Sequence, residues 1–352
     1  MMGMDQKVFH QRITKSEALN IFLKEDLHRL GKMAMEVRWR IHPERKVTFL
    51  IDRNINYTNI CVSQCRFCAF YRSKGDSDAY VICLEELFRK IEETLSLGGT
   101  GILMQGGLHP DLPLSFYVNL IRQIKKRYPS VHLHAFSPPE IVHMARLSGM
   151  GIRDVLQSLR DAGLDSIPGG GAEILSDRVR SIISPRKIRT KEWLEVMREA
   201  HRMGIPTSAT MMFGSVETAE EIIEHLDHIR NLQDETGGFI SFIPWSYQPG
   251  GTRLGGVCAT GVEYLRVLAI SRIYLDNVVN IQASWVTQGT KMAQMALFFG
   301  ANDFGSVMLE ENVVAATGVR NRTTVEEIVR LIKDASFIPV QRTHMYHTVR
   351  IF

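Results

Sequence analysis

Three thiols within eight positions carry the first chemical signal: Cys61, Cys65 and Cys68, in the run Asn54-Ile-Asn-Tyr-Thr-Asn-Ile-Cys-Val-Ser-Gln-Cys-Arg-Phe-Cys-Ala-Phe-Tyr71. They follow a strand-like segment, residues 46–52, so a loop leaving the strand's carboxyl end can turn its sulfurs toward one centre. Three thiolates suit three corners of an iron-sulfur cube. A structural zinc site would want a fourth ligand close by, and the next thiol, Cys83, stands fifteen residues on at the start of a predicted helix. An iron without a protein thiolate is open to a substrate or cofactor. A zinc knuckle or a disulfide pair would also cluster cysteines, but five cysteines in 352 residues with no secretory leader speak for a reducing compartment. Cys83 and Cys258 read as ordinary semi-buried thiols.

Something must hold that loop, and the rest of the chain supplies a regular frame. Strand-like segments at 46–52, 101–107, 131–136, 163–171, 207–213, 238–245, 278–286 and 300–307 alternate with amphipathic helical ones at a spacing of roughly 30 residues. This pattern predicts an α/β fold, one closed parallel (β/α)8 barrel of TIM type over residues 46–320. An N-terminal helical extension, 1–45, precedes it, and a C-terminal helix and tail, 321–352, pack on it. An open doubly wound sheet is the alternative. The first dozen residues show no pattern; Thr14-x-x-Glu17 then opens a helix that stops at Gly31, and Thr323-x-x-Glu326 opens the last one.

Composition narrows the function classes. The chain is 45% hydrophobic and 23% charged, and no apolar run approaches the ~20 residues of a membrane span. That places it in the cytoplasm, away from membranes. The net charge of +4 is scattered, not gathered in a stripe, which argues against nucleic acid and suits an acidic electron donor.

In a barrel the strand carboxyl ends carry function. Gln105, Gly106 and Gly107 follow the second strand, where glycines either admit a ligand to the backbone or make a tight turn. Ser137 follows the third and Gly169-Gly-Gly-Ala-Glu173 the fourth; Arg180, two helical turns later, offers a fork for a carboxylate or a solvated face, with Arg178 as competitor. His132 and His134 share one strand face, as core histidines or substrate contacts. Met211, Met212, Trp245, Tyr247 and Trp285 either wall a pocket or pack the barrel.

The Cys-x3-Cys-x2-Cys spacing, with Phe67 before the last cysteine, resembles the radical S-adenosylmethionine (SAM) superfamily. Further phrases extend the likeness: Gln105-Gly-Gly-Leu-His-Pro-Asp111, His132-Leu-His-Ala-Phe-Ser-Pro138, Pro168-Gly-Gly-Gly-Ala-Glu-Ile-Leu175, Gln233-Asp-Glu-Thr-Gly-Gly-Phe239, Asn280-Ile-Gln-Ala-Ser-Trp-Val286 and Gly300-Ala-Asn-Asp-Phe-Gly-Ser306. Together they are similar to the family holding the radical SAM enzymes of the futalosine route to menaquinone and the subunits of deazaflavin synthase. Tyr71, the triple glycine 169–171, Ile243-Pro-Trp-Ser-Tyr-Gln-Pro-Gly250 and Trp285-Val-Thr-Gln288 look most like the members that cyclise dehypoxanthine futalosine.

The resemblance implies a [4Fe-4S] cluster on Cys61, Cys65 and Cys68, with SAM flanked by Phe67, Tyr71, Gln105, Gly106, Gly107, Ser137, Glu173 and Arg180. Leu108-His109-Pro110 stands where many relatives have Glu, so an acidic partner for SAM's amino group is not supplied there. It further implies hydrogen abstraction at ribose C4′, closure onto the benzoate ring, and reduction by a donor such as flavodoxin or ferredoxin. A base must take the final proton; Glu173, His109 and Asp303 are the candidates. The rivals are a radical SAM enzyme making a different bond and a non-catalytic iron-sulfur or zinc protein.

Overall fold

A computed structural model describes residues 12–352; the rest of the patternless first dozen lies outside the described residues. Ten strands are present among the described residues: β1 (Lys46–Leu50), β2 (Asn54–Asn56), β3 (Gly101–Gln105), β4 (His132–Ala135), β5 (Thr207–Phe213), β6 (Phe239–Ser246), β7 (Asn280–Ile281), β8 (Asp303–Ser306), β9 (Ile338–Arg342) and β10 (Thr348–Ile351). β1 and β2 are consecutive halves of one stave, the first beside β8 and the second beside β3. β3 pairs with β4, β5 with β6 and β6 with β7, all parallel. Single parallel bridges, His134 to Ser166, Ile167 to Thr207 and Gln282 to Asp303, carry the contacts across the remaining gaps. The result is an α/β fold of TIM-barrel type.

The staves alternate: Ile102, Met104, Leu133, Ala135, Ala209 and Met211 are buried on one face, while Leu103, His134 and Thr210 between them are half-buried and line the lumen. The outer helix Leu114–Arg127 turns one apolar stripe inward, with Tyr117, Leu120, Ile121 and Ile124. Thr218 with Glu221 and Thr260 with Glu263 form the capping boxes their spacing dictates.

Five expectations change. The seventh strand contracts to Asn280–Ile281, and Trp285–Gln288 is a short helix. The fourth strand shrinks to the bridges at Ser166 and Ile167, because Pro168 lacks the N–H that would continue the ladder. The single N-terminal helix is two: Lys15–Lys24, with its box at Thr14, and Leu27–Ile41, restarted by the Asp26 carboxylate accepting from Arg29 N. Gly31 lies inside the second and ends nothing. It is small because a Cβ there would come within 2.8 Å of the Phe299 ring. The last helix, Val325–Asp334, is capped by Thr324, not Thr323. The tail beyond it becomes β9, parallel to β1 from Lys46 opposite Ile338 to Phe49 opposite Gln341, with β10 antiparallel on its outer edge.

Candidate active site

The cysteine loop leaves β2 and is pinned at its root. Thr58 Oγ1 donates to Tyr80 O at 2.6 Å, and Asn59 donates to Asp78 O while accepting from Tyr80 N. Past the last cysteine, Arg72 donates to the carbonyls of Ala69, Phe70 and Tyr71 and curls that stretch back, so that Arg72 O accepts from Cys61 N at 3.0 Å. On the barrel side Gly107 N donates to Thr58 O, and a Cβ on Gly107 would lie 2.2 Å from Ile60 O. The glycine pair after β3 thus seats the cysteine loop, whatever else it does. Cys65 is buried, with Ser63 Oγ 3.2 Å from its sulfur; Cys61 and Cys68 are half-exposed.

Burial raises the Cys65 pKa, and burial together with Cys65 pushes Cys68 up to about 11. A bound metal, which takes the thiolate form, would offset that burial. Among the described residues no three His, Cys, Asp or Glu side chains are grouped to hold a single metal ion. Three thiols from one turn, with Cys83 and Cys258 exposed on other elements, fit a four-iron cluster that keeps one iron for an outside ligand.

Beside Cys65 lies a buried ion pair, Lys187 Nζ to Glu173 Oε1 at 2.6 Å, with the ammonium 5.1 Å from the Phe67 ring centre. Burial works to lower the Lys187 pKa, but Cys65 and Glu173 outweigh it and hold the ammonium above its ordinary value. Glu173 occupies a left-handed conformation, φ 45°, that a side chain rarely adopts. Arg180 does not reach out as a carboxylate clamp. Its guanidinium is fully buried and donates to the carbonyls of Gly171, Ala172 and Ile188. Arg178 is held by Glu221.

Ser137 caps the helix Pro138–Ser148, and both its N–H and hydroxyl go to Glu140. Glu140 also accepts from Tyr57 OH at 2.7 Å and Gly106 N at 3.1 Å, so one buried carboxylate fixes β2, β3 and this helix together. Tyr71 is half-buried under the Arg253 guanidinium, 5.4 Å from its ring centre.

Inside the barrel runs a cavity of about 300 Å³. Gln105, His134 and Gly170 line it, as do Trp245 and Trp285; Met211, Met212 and Tyr247 do not and pack the core instead. His132 and His134 are satisfied core histidines, both facing Ser166 Oγ at 2.7 Å, and His134 meets the lumen as well. None of the three expected bases lines it. Glu173 is paired with Lys187, and Asp303 lies in a two-pronged pair with Arg342, 3.0 Å on one arm. His109 sits in the loop after β3, where its Nδ1 accepts from Asp111 N and burial holds its pKa low.

The titratable groups that do line the lumen include Asp52, Glu311, His344 and Tyr346, none of them picked out in the sequence. Their signal was faint. Arg342 ends β9 and His344 and Tyr346 follow in the turn after it, where no regular period marks which side chains point inward.

Two family signatures match the chain: "Radical SAM superfamily" over residues 55–229 and "CofH/MqnC C-terminal region" over 236–351. It is 43% identical over 350 residues to cyclic dehypoxanthine futalosine synthase of Halalkalibacterium halodurans, covering 99% of this chain and 95% of that one. To the enzyme of the same name from Streptomyces coelicolor it is 44% identical, covering 97% and 87%. To 5-amino-6-(D-ribitylamino)uracil–L-tyrosine 4-hydroxyphenyl transferase of Methanopyrus kandleri it is 42% identical, covering 94% and 91%. Among solved structures, methylornithine synthase superposes with a TM-score of 0.74 at 18% identity, covering 95% and 96%. The FeFe-hydrogenase maturase HydG of Carboxydothermus hydrogenoformans gives 0.76 at 16%, covering 97% and 79%. At such identities the two structures speak for the fold alone.

Proposed function

We infer the reaction from one premise: this chain belongs to the radical SAM superfamily and carries the CofH/MqnC type of C-terminal region. It is a radical SAM enzyme, using an iron-sulfur cluster and SAM. Its reaction is the cyclisation of dehypoxanthine futalosine in menaquinone biosynthesis. The observation that carries this is 43% and 44% identity, over nearly the whole chain, to two synthases of that name. The transferase reaction is the second reading, since a relative named for it stands at 42%.

When bound, the cluster and SAM supply one electron and a 5′-deoxyadenosyl radical that takes hydrogen from the substrate ribose. The chain supplies position and dryness. Cys61, Cys65 and Cys68 would hold the cluster, on a loop that Asn59, Arg72 and Gly107 pin in place. Phe67, Tyr71, Gln105, Gly106, Ser137 and Glu173 are the residues that would flank SAM, with Lys187 holding the Glu173 carboxylate in place. Leu103, Ile243, Trp245, Trp285 and Val286 wall the cavity and keep water from the reacting carbons.

The electron comes from outside. Arg66, Arg186 and Arg253 are exposed and, among the described residues, in no ion pair. Arg186 and Arg253 both hold Gln64, one residue from Cys65, so the face outside the cluster is positive and fits an acidic flavodoxin or ferredoxin. Charge reversal at all three should slow cluster reduction by such a protein on the order of tenfold at low salt, and the difference should fade at high salt. Equal rates would remove the donor from this face.

The deciding experiment incubates the anaerobically loaded enzyme with SAM, dithionite and dehypoxanthine futalosine. A product two hydrogens lighter, formed with 5′-deoxyadenosine, is the expected result. Turnover only of tyrosine with 5-amino-6-(D-ribitylamino)uracil would transfer the protein to the second reading.

A further inference from the structure

The lower end of the cavity is closed by the turn after β9, and its groups are incompletely used. His344 is 6% exposed and lines the lumen, its ring stacked on His132 at 4.8 Å between centres. Its Nε2 stands 3.2 Å from Asp52 Oδ2 but is poorly aligned, and among the described residues neither ring nitrogen has a hydrogen-bond partner. Tyr346 also lines the lumen, and its buried hydroxyl, among the described residues, lacks a partner of ordinary geometry, although Ser241 lies beside it. Tyr346 is held there at φ 61°, a backbone state unfavourable for a side chain of its size. Buried polar groups left open on a cavity wall are what a polar ligand completes.

The charges decide which ligand. Arg342 lines the same floor, but Asp303 takes its Nε and Nη2 and the Thr343 carbonyl its Nη1. Asp52 accepts from Ser306 Oγ and lines the same floor. An incoming carboxylate would meet Asp52 without a free cation to receive it. A hydroxyl can donate to Asp52 or His344 and accept from Tyr346. Trp245 and Trp285 stand at the other end, by the carboxyl ends of β6 and β7, and suit a ring.

We propose that the turn 342–346 forms a subsite for the uncharged, hydroxyl-bearing end of the substrate, contacted by His344 and Tyr346 and oriented by Asp52. The aromatic part then lies toward the two tryptophans. This rests on the proposed function, whose two readings both act on a molecule with a sugar or sugar-alcohol chain.

The test uses the full-length enzyme loaded with cluster and SAM, and measures binding by calorimetry under argon. The ligands are dehypoxanthine futalosine, its analogue lacking the ribose 2- and 3-hydroxyls, and benzoate. His344→Leu and Tyr346→Phe should each weaken the parent substrate about tenfold, change the deoxy analogue less than about twofold, and leave benzoate alone. His344→Gln should recover part of the loss. Equal losses on parent and deoxy analogue, or a loss confined to benzoate in variants of unchanged melting temperature, would overturn the subsite. If the unmutated enzyme binds no dehypoxanthine futalosine, the proposed reaction is what fails. The same variants are then titrated with 5-amino-6-(D-ribitylamino)uracil, whose binding either follows His344 and Tyr346 or rejects them.

Discussion

Lys187 and Glu173 neutralise each other in a place where neither could stand alone. Both are nearly buried, so removing one leaves the other as an uncompensated charge, at a cost of about 3 kcal/mol or more. Lys187→Met is expected to lower the unfolding free energy by roughly that amount, while Lys187→Met with Glu173→Leu loses less; urea titration of the two variants checks this. Gly107 makes a sharper case. Gly107→Ala places a methyl group against Ile60 O, so the loop must lift from β3. The expected result is native-like circular dichroism with iron content well below that of the unmutated protein. At this scale the grouping of the three cysteines on one loop was legible because their spacing is local. Arg180 and Asp303 misled, because proximity to a strand end says nothing of the carbonyls or the distant Arg342 that take up their charge.

Helices and strands are joined at points where neutral histidines are sealed between them. His201 touches Thr236 Oγ1 at 2.6 Å and Thr207 Oγ1 at 2.7 Å, tying the helices Thr190–Arg202 and Ala219–Thr236 to β5. His225 accepts from Leu175 N at 3.0 Å. Burial holds their pKa values to about 4 and about 3. Unfolded, each would bind its proton near the ordinary ~6.5. Between those values the unfolded chain carries more protons, so stability is full above about pH 6.5 and falls as pH drops toward 4. Each histidine contributes a slope of at most about 1.4 kcal/mol per pH unit. Denaturation curves from pH 7.5 to 4.5 should show this decline, and His201→Gln should flatten it even while lowering stability overall. The helices of this layer were readable from capping boxes and apolar periodicity. The fourth stave was overdrawn because the run before Pro168 is apolar without being long enough to pair. β9 was missed for the opposite reason, an unremarkable run with a proline inside it that becomes a strand only because β1 offers an edge.

For the whole molecule the alternation of strand and helix was legible, and the meeting of its two ends was not. No local pattern states that Lys46 to Phe49 will pair with Ile338 to Gln341, since that contact depends on the ring having already brought the ends together. The same limit hid the floor of the cavity, which is assembled from residues on β1, β8 and the final turn. The pairing also imposes an order in time. At synthesis rates of about 5–20 residues per second, the first stave emerges roughly 15 to 60 s before the segment that will cover its flank. Throughout that interval its edge is bare, and newborn polypeptide is open to mispairing with its neighbours on the same messenger. Ribosomes stalled short of Phe337 should therefore yield protease-sensitive, aggregation-prone chains, and release of the complete sequence should end that vulnerability abruptly.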